Sequence, residues 1–125
     1  MEMSQNGGQP LLILTNLPDE ASAQALATML VSERLAACVN VLAPCRSVYR
    51  WHGAIESAQE VPLLMKTTAA RYADLEAAIR AAHPYELPEI IAVPISHGLP
   101  GYLDWVVTET RTETLAAAVD GKLPR

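Results

Sequence analysis

Apolar and polar positions along the chain change period several times, and each change marks an element. Leu11 to Thr15 is a short apolar run that breaks at Pro18, after which Asp19 and Glu20 precede Ala25, Leu26, Met29, Leu30 and Glu33. The pattern predicts a strand, a cap region and a helix. Cys38-Val39-Asn40-Val41-Leu42 then turns β-like and is interrupted by Pro44, which in a strand implies an edge, a bulge or a bend. The strand resumes through Ser47 to Trp51, reverses at His52-Gly53, and returns from Glu60 to Thr67. Tyr72, Leu75, Ile79 and Ala82 recur at three- and four-residue steps and predict a second amphipathic helix over 70–82, stopped by His83-Pro84. Glu89 to Ile95 reads as a fourth strand, and Pro100 to Glu109 as a short helix burying Leu103, Val106 and Trp105. Residues 1–10 carry no periodicity and read as a disordered leader, and 111–125 as a carboxy-terminal extension.

A weak internal symmetry supports this division. Leu11 to Thr15 matches Leu63 to Thr67 under a shift of 52 residues, and Val39 to Val41 matches Ile91 to Val93. Two strand–helix–strand halves joined by a hairpin form the split βαβ arrangement of ferredoxin-like α+β domains. The joining hairpin, Val39 to Thr67, spans 29 residues, more than a four-stranded sheet under two helices can cover. Its far end is expected to project, and unpaired strands of that length ask for another chain. Tyr49 and Trp51 near the tip are therefore read as assembly residues, with self-association as the expected way to cover them.

Composition agrees. Half of the 125 residues are hydrophobic and only 18% are charged, which leaves little polar surface for a solvated monomer. The net charge of −5, with nine scattered basic residues, argues against a nucleic-acid partner. No apolar run approaches the roughly 18 residues that cross a bilayer, and the first residues lack a signal-peptide layout, so the expectation is a cytoplasmic protein without a membrane partner. Cys38 and Cys45 have no usual zinc spacing and fall on opposite faces of an unbulged strand, although a bulge at Pro44 would restore a common face.

Candidate chemistry gathers after the second helix, in His83-Pro84-Tyr85-Glu86-Leu87-Pro88-Glu89. One imidazole with Glu86 and Glu89 could help hold a divalent cation; the same residues also make a helix stop followed by a rigid loop. Lys66, on an otherwise apolar strand, could meet an anion, a carboxylate of another subunit or water. Nothing resembles a catalytic triad, a phosphate-binding loop or a dinucleotide fingerprint, and no enzymatic activity is expected.

Five blocks then align in order: Glu33-Arg34-Leu35-Ala36-Ala37-Cys38-Val39-Asn40, Ser47-Val48-Tyr49-Arg50-Trp51-His52-Gly53, Lys66-Thr67-Thr68, His83 to Glu89, and Gly98 followed by Tyr102-Leu103-Asp104-Trp105. Together they resemble the CutA divalent-cation-tolerance family across residues 11 to about 110. The resemblance implies a ferredoxin-like subunit in a tight homotrimer, similar in architecture to the PII signalling proteins, and a non-enzymatic part in the response to metal ions, copper especially. It implies no required cofactor, with a divalent cation, copper, as the one ligand to be tested for. In the enterobacterial member the proposed copper ligands are a Cys ending the first strand and two consecutive His ending the second helix. Those positions hold Thr15 and Ala82-His83, so only His83 carries over, and copper binding is expected to be weak or absent. One alternative is a PII-like sensor whose small ligand sits in an intersubunit cleft gathering Lys66, Tyr85, Glu86, Glu60 and Trp51. Another is a structural trimer that anchors a partner protein.

Overall fold

Burial alternates residue by residue along strand β1 (Pro10–Leu17), with Leu11, Ile13, Thr15 and Leu17 turned inward. That is the period of a strand covered on one face. The computed structural model describes residues 7–112, so the expected leader and extension lie mostly outside the described residues. At the leader's margin, Pro10 already opens β1 and the Gln9 side chain donates to the carbonyls of Pro10 and Ile95. The chain continues as α1 (Glu20–Ser32), β2 (Cys38–Val41), β3 (Cys45–Trp51), β4 (Ala54–Thr68), α2 (Ala69–Ala82), β5 (Ile91–Pro94) and α3 (Pro100–Glu109). All pairings are antiparallel in the order β2-β4-β1-β5, with β3 also on β4. This is the ferredoxin-like α+β fold, its first two helices packed on one face of the sheet.

Each helix has a local cause. Asp19 caps α1 by accepting the Ser22 N–H at 2.8 Å, and that amide holds its carboxyl below the usual range. Ala23, Leu26, Ala27 and Leu30 from α1, with Leu75 and Ile79 from α2, close over Ile13, Leu63 and Met65. Ala82 does not join them: it is exposed, and His83, one helical turn beyond Ile79, takes the inward position. In α3 only Val106 is fully buried, while Leu103 and Trp105 are partly so. The strand expected over Glu89 to Ile95 is shorter, β5 covering Ile91–Pro94: Glu89 before it accepts a side-chain hydrogen bond from Asn16, and Ile95 after it donates its N–H to the Pro10 carbonyl.

The internal symmetry takes physical form in the central pair. Ile13 and Met65, equivalent under the shift of 52, are direct partners and both fully buried, so a pseudo-twofold axis passes between them. The second strands deviate. Val39 pairs with Met65, whereas the partner of Ile13 is Ala92, one residue beyond the Ile91 that sequence matching selects. That slip turns Ile91 and Val93 to the face away from α1 and α2, where they are 48% and 46% exposed.

The long hairpin carries a bulge. Between the pairs Val41–Leu63 and Cys45–Glu60, three residues (42–44) stand opposite two (61 and 62). Cys38 and Cys45 consequently share a face, yet their partners Lys66 and Glu60 are six residues apart on β4, about 20 Å at the rise of a strand. The thiols cannot meet. Beyond the bulge, β3 pairs only with β4, and His52 and Gly53 close the arm with φ of 50° and 80°, the left-handed values of a two-residue hairpin turn. Val48 and Ile55 on this arm are 69% and 70% exposed.

One core polar atom is an anomaly. Thr15 is fully buried and its hydroxyl oxygen has no hydrogen-bond partner among the described residues. Thr15→Val removes that unmet group at nearly constant volume, and urea unfolding is expected to show a gain of about 1 kcal/mol.

Candidate functional site

The antiparallel ladder brings the arm down beside the loop that follows α2, and a cavity of about 820 Å³ opens between them. Because alternate residues of a strand share a face, Tyr49 and Trp51 of β3 line it together with Glu56 and Glu60 of β4. The loop contributes Tyr85, Glu86 and Glu89, and β1 contributes Asn16.

His83 organises the loop. Its Nε2 lies 2.6 Å from the Asn16 carbonyl oxygen, and its Nδ1 accepts the Tyr85 N–H at 3.2 Å. The carbonyl can only accept, so this geometry requires the Nε2–H tautomer and leaves neither ring nitrogen a lone pair for a metal. The imidazole is buried, 8% exposed, with the Tyr85 ring 4.8 Å away. Asn16 works on both sides, since its side-chain amide also donates to Glu89 at 3.0 Å. Tyr85 in turn hydrogen-bonds the Glu60 carboxylate across to β4; burial first, then that carboxylate, pushes its phenol from 10.0 up to about 12.

Of the residues expected in one cleft, Trp51, Glu60, Tyr85 and Glu86 do line a common cavity. Lys66 does not. It lies on the same face of β4 as Glu60 but level with Cys38 and Leu12, and its ammonium donates to the Asn40 side chain. Parity along the strand places both residues correctly on one face and says nothing of the distance between them. His83, Glu86 and Glu89 share the loop without converging: no three His, Cys, Asp or Glu side chains among the described residues are grouped to hold a metal. Thr15 points into the core and Ala82 to solvent, so the donor set does not fit a tight copper centre. Asn16 and Glu56 were not legible as site residues. Asn16 is simply the polar end of an apolar run, and its partners lie 67 and 73 residues away.

The Tyr85 shift has a defined consequence. A phenol whose folded value is raised contributes stability that is complete below its unfolded value near 10 and is lost as pH climbs toward 12. Unfolding titrations are expected to show a drop in stability over that window that is absent in Tyr85→Phe. Removing the His83 ring strands the Tyr85 N–H, the Asn16 carbonyl and a small void, so His83→Ala is expected to cost about 2–3 kcal/mol in the same measurement.

Comparison with known proteins gives this arrangement its setting. The family profile of the CutA1 divalent ion tolerance protein matches residues 11–109. A divalent-cation tolerance protein CutA of Thermus thermophilus is 44% identical over 99 residues, covering 79% of this chain and 96% of that protein. The crystal structure of CutA from Xylella fastidiosa superposes with a TM-score of 0.80 at 48% identity, over 82% of this chain and 99% of the other. A structure from Archaeoglobus fulgidus, described as a periplasmic divalent cation tolerance protein, gives 0.79 at 34% identity, over 82% and 99%. With a matched fold, a profile spanning the whole described core and relatives that are divalent-cation tolerance proteins, the chain belongs to the CutA1 divalent ion tolerance family.

Proposed function

We propose that the chain acts in divalent-cation tolerance as a homotrimer that binds copper weakly at most. The supporting observation is the amount of apolar surface one subunit leaves open. Val48 and Ile55 on the arm, and Ile91 and Val93 on the uncovered sheet face, are large aliphatic side chains left exposed by the single subunit. β3 also has an unpaired edge. Three copies closing about one axis would satisfy both demands. Weak copper binding follows from the occupied nitrogens of His83: the imidazole becomes a ligand only by giving up Asn16 or Tyr85. The two free thiols, about 20 Å apart, fit a reducing cytosol; the Archaeoglobus relative, by contrast, is described as periplasmic.

A second reading, a sensor of a small molecule, is favoured by the cavity itself. Its volume is in the range of ligand sites, and it joins aromatic walls to a few fixed polar groups. Anchoring of a partner protein draws no comparable support from a specific residue.

Light scattering is expected to return three times the subunit mass of 13.5 kDa, and Ile91→Asp to lower it without unfolding the subunit; a wild-type monomer would overturn the trimer. Copper titrated calorimetrically into the full chain is expected to show no high-affinity phase. A tight phase that survives His83→Ala removes His83 from any metal role.

A further inference from the structure

The cavity beside the arm has a chemical preference that its volume alone does not reveal. Four carboxylates, Glu56, Glu60, Glu86 and Glu89, face it against a single guanidinium, Arg50. The described partners of Glu60 and Glu89 are neutral, the Tyr85 hydroxyl and the Asn16 amide. The two ion pairs found among the described residues, Arg34–Glu109 and Arg71–Asp74, lie elsewhere. Lys66, the nearest lysine on β4, is held at Asn40 and does not reach in. Among the described residues, the cavity therefore keeps an excess of carboxylates over cationic side chains.

Aromatic walls narrow the choice of cation. Tyr49 and Trp51 stand on the arm and Tyr85 on the loop, so aromatic residues line a volume of about 820 Å³ from two sides. A bare metal ion fills a small fraction of that space and gains nothing from indole or phenol faces when it arrives hydrated. An alkylammonium or guanidinium group gains from both features, through attraction to the rings and through charge-assisted hydrogen bonds to the carboxylates. Anionic ligands such as nucleotides meet the wrong sign of charge.

We propose that this cavity is a receptor for a small organic cation, an ammonium or guanidinium held between Trp51 and Tyr85 with its charge on Glu56 and Glu86. The proposal rests on the reading of the cavity as a ligand site and names the class of ligand that site takes.

The test is calorimetry on the full chain with 1,4-diaminobutane and arginine amide as cationic probes, 1,4-butanediol as the neutral isostere, and Mg²⁺, Cu²⁺ and inorganic phosphate as controls. Saturable binding of the cationic probes alone is expected. It should weaken at least about tenfold in the double variant Glu56→Gln/Glu86→Gln, whose side chains have no described hydrogen bonds to lose, and similarly in Trp51→Leu. Equal binding of butanediol, indifference to both variants, or no heat from either cationic probe overturns the proposal. Binding of Cu²⁺ or Mg²⁺ that the double variant abolishes, with no response to the organic probes, also overturns it while leaving the divalent-cation reading intact. Loss of all binding in a chain that still scatters as a trimer separates failure of the cavity from failure of the assembly.

Discussion

The antiparallel pairing of β1 with β4 is the constraint on which everything else hangs. It runs for eight consecutive pairs, Pro10–Thr68 through Leu17–Val61, and fixes which side chains of both strands face the helices. Ile13, Leu63 and Met65 become core in one stroke, and Glu60 and Lys66 are turned the other way. A register change of one residue would exchange these sets, exposing a row of apolar side chains and burying a carboxylate and an ammonium, a cost no local adjustment offsets. The edge strands inherit their registers from this pair, and the cavity inherits its walls from the edge strands.

Outside that centre, the two halves of the domain are alike without being equal. The pseudo-twofold axis holds at Ile13 and Met65 and fails by one residue at β5. The failure coincides with the loop after α2, where His83, Tyr85 and Glu89 are bound to Asn16 and Glu60 rather than to a regular ladder. The half that departs from symmetry thus supplies the loop wall of the cavity, facing the arm, as expected when a site is built onto a repeated framework.

Much of the framework was legible from residue order. Asp19 before an amphipathic run, His52-Gly53 between β-rich limbs and His83-Pro84 after a helical period each act through their own neighbours, so their physics is contained in a few positions. The cavity was legible only in part, because its contacts are long-range. Tyr85 meets Glu60 and His83 meets Asn16 through the closing of the sheet, and nothing near either residue encodes the meeting. Lys66 shows the limit from the other side: its face was readable, its height along the strand relative to the loop was not. The family blocks pointed to His83 as a residue of note, but its work in the subunit is to brace the loop from within.

The extra residue in the segment 42–44 also works as a reading-frame shift for the arm. Upstream of it, alternation is in phase with β2; downstream, every side chain has exchanged sides relative to an uninterrupted strand. Tyr49 and Trp51 nevertheless keep their place beside Glu56 and Glu60, because the two-residue turn at His52-Gly53 fixes their register on an unbroken β4. Deleting one residue there, at Ala43, would set two residues opposite two, removing the bulge while both registers and the side chains presented to the loop persist. The identity of the cavity is therefore set from the tip of the arm, and the bulge is the slack that lets β2 and β3 share one partner strand in two registers.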